Sequence, residues 1–343
     1  MIPHPSHARA VRFWIISLMA LVVCMIFIGG VTRLTESGLS IVEWKLFSGI
    51  FPPLTQEGWE NEFAAYQASP EFQKKNFDFG VAEFKRIFWL EYIHRLLGRV
   101  IGLAFIVPFF YFVARKALPS PLTKRMAIAT LLVGMQGAIG WIMVQSGLVD
   151  APRVNPLKLA LHLSLALSLF ALLIWTWWQI TARVRELAPG AAFQRVLSIT
   201  LVVLALQIVL GALVAGNDAG LSYNTYPLMD GHIVPPSLAD VWRDGGAWYA
   251  NTLIVQFLHR TGAHLLVVLV GALLWCGLRY SSPHIRRAVL WIAGAFFVQF
   301  MLGVMTLVHV VPLALASAHQ MAAIGLLATV LNLRYLALKP QMR

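Results

Sequence analysis

Cysteine and charged residues are both scarce in this chain. Only two of its 343 residues are cysteine, and Lys, Arg, Asp and Glu together make up 12%. Cys24 and Cys276 both lie inside apolar runs, so a disulfide framework is not expected, and the redox compartment cannot be read from them. So low a charge content excludes an ordinary soluble domain with a polar surface.

Apolar residues take the place of the missing charges. They make up 59% of the sequence, and the mean hydropathy is +0.71. These values are typical of an integral membrane protein. The net charge of +12 could suggest a nucleic-acid-binding protein. However, the basic residues form short clusters between apolar runs rather than one patch, as membrane topology requires, so no nucleic-acid partner is expected.

Eight apolar runs are long enough to cross a membrane as helices, at about 20 residues per crossing. The first could be a signal peptide, but it lacks an A-x-A-like cleavage site and is interpreted as a retained helix. The runs cover roughly 13–31, 89–113, 126–146, 157–178, 196–215, 253–278, 288–308 and 313–337. The sequence therefore predicts an all-α integral membrane protein with lipid as its immediate surroundings.

Lys and Arg residues are more frequent on the side of the membrane that carries both termini. By the positive-inside rule that side is cytoplasmic, and the chain is predicted to cross the membrane several times. Two long loops, 34–88 and 216–252, then lie outside. Both are rich in aromatic residues and Pro, and we expect them to pack on the membrane surface, either as simple anchors or as a gate for a substrate.

The two halves of the chain resemble each other. Four similar pieces occur in the same order in residues 1–190 and 191–343, which predicts two tandem, pseudo-symmetric four-helix bundles. The matched pieces are Gly29…Ser37-Gly38-Leu39-Ser40 with Gly211…Ala219-Gly220-Leu221-Ser222, Glu91-Tyr92-Ile93-His94-Arg95 with Gln256-Phe257-Leu258-His259-Arg260, Gln136-Gly137-Ala138-Ile139-Gly140 with Gln299-Phe300-Met301-Leu302-Gly303, and His162 with His319.

Four of the ten histidines stand out because each lies in a different apolar run. These are His94, His162, His259 and His319. Two per half, all near one membrane surface, predict two sites in which facing helices each supply one imidazole. A single membrane histidine is more often only a hydrogen-bonded core residue. His264 lies roughly 140° around the helix from His259, and His309 is interpreted as interfacial.

Two facing imidazoles in an apolar bundle suit the iron of a porphyrin. No cluster of cysteines or acids lies beside them, so zinc and iron–sulfur sites fit poorly. Small residues near the histidines would leave room for a flat macrocycle. Arg95 and Arg260, each one residue after a histidine, could pair with propionates or simply extend to lipid headgroups.

One position distinguishes the two halves. Three residues before the histidine stands Glu91 in the first half and Gln256 in the second, and only the carboxylate can carry charge or move a proton. We therefore expect chemistry in the first half and a redox cofactor in the second. The simpler reading is that Glu91 only orients His94 or pairs with Arg95.

These residues together resemble the heme A synthase family over nearly the whole chain. The motifs that carry the resemblance are Glu91-x-x-His94-Arg95-x-x-Gly98-Arg99, Gly38-Leu39-Ser40-Ile41-Val42-Glu43-Trp44, Thr225-Tyr226-Pro227-Leu228-Met229 and His259-Arg260. The loop motifs are similar to those of the proteobacterial and mitochondrial branch. Residues 216–252 lack the Cys pair of other bacterial members, which argues against a thiol relay.

The resemblance implies an inner-membrane oxidoreductase for cytochrome oxidase assembly. Its substrate would be heme O, whose C8 methyl is oxidised to the formyl of heme A by successive hydroxylations. His259 and His319 would ligate a resident heme b, His94 and His162 would bind the iron of the substrate heme, and Glu91 would be essential. Heme O synthase, an electron-transfer protein and a second copy of the chain are candidate partners.

Two rival functions fit the same histidines. A non-catalytic di-heme b-type cytochrome would hold two permanent hemes and would not depend on Glu91. A heme transporter or assembly chaperone would bind heme without changing it. Prenyl transfer to heme is disfavoured, because no loop carries an Asp-rich diphosphate motif.

Overall fold

The computed structural model describes residues 3–44, 48–149, 152–181, 190–280 and 282–338. Contacts between Cα atoms divide the chain into two compact units. Among the described residues, one unit lies within 3–170 and the other within 171–338. We call them the N-terminal unit and the C-terminal unit. The predicted domain boundary at 190/191 stays a prediction. The predicted membrane orientation rests in part on six charged residues that lie outside the described residues: Lys45, Arg183, Arg185, Glu186, Lys339 and Arg343.

The described residues are helical and form no named strand. Eight helices are long and apolar enough to cross a membrane, as the sequence predicted. They are α1 (Ala8–Leu34), α4 (Val81–Ala114), α5 (Ser120–Gln145), α6 (Pro156–Ile180), α7 (Ala191–Gly216), α9 (Thr252–Leu278), α10 (Pro283–Val308) and α11 (Leu313–Leu336). Three shorter helices lie in the two long loops: α2 (Gln56–Gln67), α3 (Pro70–Lys74) and α8 (Leu238–Arg243).

The packing of the C-terminal unit is that of a four-helix ring. Helix α7 packs against α9 and α11, and α10 packs against the same two helices. As a result α9 and α11 face each other diagonally. Side chains on these two helices that point inward can therefore meet in the centre of the ring.

In the N-terminal unit, α4 packs between α1 and α5. Contacts of His162 with Gly140 and Gln136 bring α6 against α5. A side-chain hydrogen bond also joins α1 to α4, since Nε1 of Trp14 donates to the carbonyl of Ala104 at 2.8 Å. His94 on α4 and His162 on α6 thus lie on helices that both pack against α5.

Helix α4 begins earlier than the sequence predicted. The apolar run suggested a start near residue 89, but the helix starts at Val81. The side chain of Glu83 accepts the backbone N–H of Gly80 at 3.1 Å and so caps the first turn. The charged residues of that turn depress its hydropathy without breaking the helix. Glu91 and His94 accordingly lie three to four turns inside α4 rather than at its start, which corrects that prediction.

The first long loop packs as half-buried helices against the extended end of α4. Its core is an aromatic cluster of Trp59, Tyr66, Phe84, Phe88 and Tyr92. Edge-to-face contacts such as Trp59 on Phe88, 4.9 Å between centroids, hold α2 against α4. The loop is therefore a packed layer over this end of α4.

A buried acid lies at the edge of that layer. Glu71 on α3 is 2% exposed and accepts a hydrogen bond from the hydroxyl of Tyr66 at 3.1 Å. Burial raises the pKa of Glu71 to about 7, and the negative charge of Glu91 acts in the same direction. The protonation state of this loop therefore changes close to neutral pH.

Candidate functional site

The N-terminal unit brings the two predicted histidines His94 and His162 to one place. His94 projects from α4 towards α1, where Gly29 faces its ring, and a Cβ on Gly29 would stand 3.1 Å from His94 Nε2. His162 projects from α6 towards α5, where a Cβ on Gly140 would stand 3.0 Å from its Cε1. The two rings are close enough to interact electrostatically.

The C-terminal unit repeats this arrangement with His259 and His319. A Cβ on Gly211 of α7 would stand 3.1 Å from His259 Cε1, and one on Gly303 of α10 would stand 2.8 Å from His319 Cε1. The two imidazoles again interact electrostatically. They come from α9 and α11, the two helices that face each other diagonally. Each unit therefore contains one pair of glycine-backed imidazoles.

Glutamines contact three of these histidines, through their side chains or, at Gln299, also through the backbone carbonyl. Gln207 donates from Nε2 to the carbonyl of His259 at 2.8 Å and lies 3.1 Å from its Nδ1. The Nδ1 of His319 donates to the carbonyl of Gln299 at 3.1 Å. Gln136 reaches the carbonyl of His162 at 3.0 Å. Bonds to Nδ1 fix the ring orientation of His259 and His319. The side-chain amide of Gln299 also lies 3.3 Å from Nε2 of His319.

The donors in each unit fit a heme iron. Two imidazoles are the axial set that a bis-histidine heme takes, and the described residues form no group of three or more His, Cys, Asp or Glu that could hold another metal. The Nδ1 of His162 is buried and has no hydrogen-bond partner among the described residues. A buried polar atom left in that state is costly and points to a site completed by a ligand.

Glu91 lies one turn before His94 and is 2% exposed. Its Oε2 accepts hydrogen bonds from the hydroxyl of Ser40 and the backbone N–H of Ile41, both at 2.8 Å. Its Oε1 forms an ion pair with Arg95 at 2.6 Å. Both carboxylate oxygens therefore have hydrogen-bond donors in an otherwise apolar region.

Arg95 joins the carboxylate to the first long loop. Its Nη2 donates to the carbonyl of Ile41 at 2.7 Å and its Nη1 to that of Glu43 at 3.2 Å. Its guanidinium lies 5.2 Å from the ring centroid of Trp44. The pairing with Glu91 considered from sequence is thus present, and the loop segment that carries the resemblance motif wraps around it.

The corresponding residues of the C-terminal unit anchor the second long loop without a carboxylate. Gln256 donates to the carbonyl of Tyr223 at 3.1 Å. Arg260 donates to the same carbonyl at 2.6 Å and to that of Thr225 at 2.9 Å. In both units the arginine predicted to meet propionates is engaged with loop carbonyls, and the propionate role stays a prediction.

The remaining histidines occupy more exposed positions. His264 is exposed and stacks on Tyr226, whose hydroxyl lies 3.2 Å from its Nε2. His309 is exposed and its Nδ1 donates to the carbonyl of Met305 at 2.9 Å. Neither lies in an imidazole pair.

Sequence reasoning did not assign roles to the glycines, the glutamines or Ser40. A signal was available for the first two groups, because Gln136, Gln207 and Gln299 each stand four residues before the glycine that faces a histidine. Small residues were instead assigned to heme clearance. The space beside Gly98 is partly filled by the side chain of Met25, and the space beside Gly262 by that of Gln207.

Comparison with known proteins extends over nearly the whole chain. Residues 12–331 match the family described as cytochrome oxidase assembly protein, COX15-CtaA. A protein of Bradyrhizobium diazoefficiens named heme A synthase is 44% identical over 93% of this chain and 89% of its own length. A heme A synthase of Azorhizobium caulinodans is 45% identical over 92% and 90%. One of Nitrosospira multiformis is 42% identical over 94% and 92%.

Proposed function

The chain belongs to the heme A synthase family, and from this premise we propose that it oxidises a methyl group of heme O to the formyl group of heme A. One observation carries the proposal beyond the family name. The two imidazole pairs have matched surroundings, yet among the described residues only the N-terminal unit has a buried carboxylate, Glu91, one turn from a ligand histidine. At the matched position the C-terminal unit has Gln256, which is neutral.

We assign substrate binding to the N-terminal unit. His94 and His162 hold the iron of heme O, and the glycines opposite them, Gly29 and Gly140, let the imidazoles pack without a clash. The prenyl tail of the substrate extends into lipid, so that the macrocycle enters from the side. The two histidines thus orient the macrocycle through its iron, because the apolar edge of the macrocycle offers no polar group for the protein to bind.

His259 and His319 of the C-terminal unit are assigned to a resident heme b. The side chain of Gln207 and the backbone carbonyl of Gln299 orient their rings, as is usual for histidines that ligate a metal. When bound, heme b supplies electron transfer for the oxidation. The protein's part is to hold two neutral imidazoles in an apolar setting.

The reaction converts a methyl to an alcohol, then to a gem-diol, which loses water to give the aldehyde. With water as the oxygen donor, each oxidation replaces a C–H bond with a C–O bond and releases two protons and two electrons. The electrons pass to an electron acceptor in the membrane. Glu91 provides a fixed negative charge that stabilises positive charge developing at the reacting methyl, and it can accept a proton there. Arg95 and Ser40 hold the carboxylate in position.

The proposed setting is a cell inner membrane with both termini in the cytoplasm. The two long loops and the imidazole pairs then lie towards the opposite surface. Heme O synthase is the enzyme class that would supply the substrate, and cytochrome oxidase would consume the product.

A non-catalytic di-heme cytochrome is the second candidate. The observation that favours it is the close match between the two imidazole pairs, which both have glycine-backed rings. It predicts two permanent hemes of the same kind and no formyl heme.

Pigment analysis separates the candidates. Heme would be extracted from cells that lack the chain and from cells that express it, then identified by chromatography and mass. We expect heme O to accumulate without the chain and heme A to return with it. Unchanged heme A in the cells that lack it would contradict the proposal.

A further inference from the structure

The helix that faces each histidine carries the same short pattern, with one exception. Four residues before the glycine that backs the ring stands Gln136, Gln207 or Gln299 in three cases. In the fourth case, beside His94, that position is Met25. Residues four apart on a helix lie on one face, so each of these side chains is directed at its histidine's helix.

Packing supports the equivalence of Met25 and Gln207. Gln207 lies against Gly262, three residues after His259, where a Cβ would collide with its Oε1. Met25 lies against Gly98, four residues after His94, where a Cβ would stand 3.2 Å from its Cε. Both side chains therefore occupy a glycine-lined notch one turn beyond the histidine.

The chemistry of the two side chains is different. Gln207 holds the carbonyl and the Nδ1 of His259. The thioether of Met25 cannot donate a hydrogen bond, and the His94 ring forms no side-chain hydrogen bond with any residue in the described ranges. His94 is thus held by packing, whereas His259 is held by packing and by an amide.

Orientation of this kind has a large effect on ligand strength. Removing a side chain that hydrogen-bonds a metal-ligating histidine typically costs roughly 10- to 100-fold in metal affinity. Methionine is flexible and polarisable, and it fits irregular or changing neighbours better than an amide does. A ligand braced only by methionine can turn away from the iron without breaking a hydrogen bond.

We propose that Met25 is the positioning residue that makes His94 a releasable heme ligand. Gln207 at the matched position makes His259 a permanent one. The inference rests on the proposed function, since it explains how the N-terminal site can release a heme product while the C-terminal site keeps its cofactor. It assigns that difference to one side chain rather than to the histidines themselves.

Reciprocal variants test the proposal with iron protoporphyrin IX as the probe. M25Q would be made in an H319A background, so that only the N-terminal site binds, and Q207M in an H162A background. The quantity measured is the rate at which purified protein in lipid nanodiscs loses heme to an apo-globin scavenger. The absorption spectrum of a low-spin bis-histidine heme reports ligation at the start of each run.

We expect M25Q to slow heme loss from the N-terminal site roughly tenfold and Q207M to accelerate loss from the C-terminal site by a similar factor. M25L is the matched control, because it keeps an apolar side chain of similar volume and should leave the rate unchanged. An M25Q rate equal to that of the parent overturns the proposal, as does an M25L rate as slow as that of M25Q. If M25Q fails to accumulate, the Q207M rate decides, and unchanged loss there overturns the proposal.

These rates do not depend on turnover. If pigment analysis showed no role in heme A formation, the proposed function would fall while the dissociation rates still measured the effect of Met25. If heme A formation were confirmed and the rates did not change, only the role of Met25 would fall.

Discussion

Replacing Glu91 with glutamine gives the N-terminal unit the residue that the C-terminal unit has at the matched position, Gln256, and removes a single charge. The Glu91–Arg95 contact is 2.6 Å long, and the two side chains are 3% and 10% exposed. Breaking a buried pair by removing one partner typically costs about 3–5 kcal/mol. Here Arg95 keeps its bonds to the carbonyls of Ile41 and Glu43, so we place the cost to stability below that range.

The effect on heme A formation should be larger than the effect on folding. Loss of a positioned acid–base group lowers a rate by roughly 10²–10⁴-fold. We therefore expect heme A to fall below detection in E91Q while the heme b of the C-terminal unit is retained. The assay is chromatography of heme extracted from membranes with equal amounts of the protein. S40A is the matched control, because it removes one hydrogen-bond donor to Glu91 but keeps the carboxylate. Loss of that one hydrogen bond should cost only about 1 kcal/mol, so S40A should still form heme A.

A double substitution separates chemistry from pairing. If Glu91 served only to neutralise Arg95, then E91Q/R95M would remove the unpaired charge and restore heme A. We expect the double variant to stay inactive. Heme A in E91Q within tenfold of the parent protein, or its recovery in E91Q/R95M, would refute the assignment.

Two further predictions concern the glycine faces and the first long loop. G303A places a methyl group 2.8 Å from His319 Cε1 and should displace that ring, so that the purified protein loses its resident heme. G294A is the control on the same helix, because its new methyl group would meet no atom within 4 Å, and it should retain the heme. Equal heme content in the two variants would contradict the packing argument. Because burial raises the pKa of Glu71 from 4.5 to about 7, the folded state favours the protonated acid; the resulting stability is fully present below pH 4.5 and is lost as pH rises through about 7. Hydrogen exchange in α2 and α3 should therefore be slower at pH 5 than at pH 8 after correction for intrinsic rates, and E71Q should abolish that difference; a wild-type profile independent of pH would refute it.

Much of the fold could be predicted from the sequence, because a membrane demands apolar runs of fixed length. All eight predicted crossings are confirmed as helices suited to span a membrane. The start of α4 was wrong by eight residues, since hydropathy detects only the apolar part of a helix. The turn from Val81 onward is amphipathic and is stabilised by a cap and by the aromatic cluster of the loop.

The candidate site could be predicted only in part. The histidine pairs followed from their distribution among the apolar runs. The glycines that face their rings could not be predicted, because a sequence does not show how neighbouring helices are rotated about their own axes. Ser40 bonds to Glu91 across 51 positions of the chain, and only the folded loop brings them together. The pairing of Glu91 with Arg95 was foreseeable because residues four apart on a helix are neighbours.

Conversion of heme O by the purified chain tests the central claim most directly. The protein would be placed in lipid nanodiscs with its resident heme and supplied with heme O and an electron acceptor in aqueous buffer, and the extracted heme would be analysed by mass. We predict a product that has gained one oxygen and lost two hydrogens, formed by the parent protein but not by E91Q or H162A. Heme O that binds at His94 and His162 and is recovered unchanged from the parent protein would contradict the account and favour a carrier of heme.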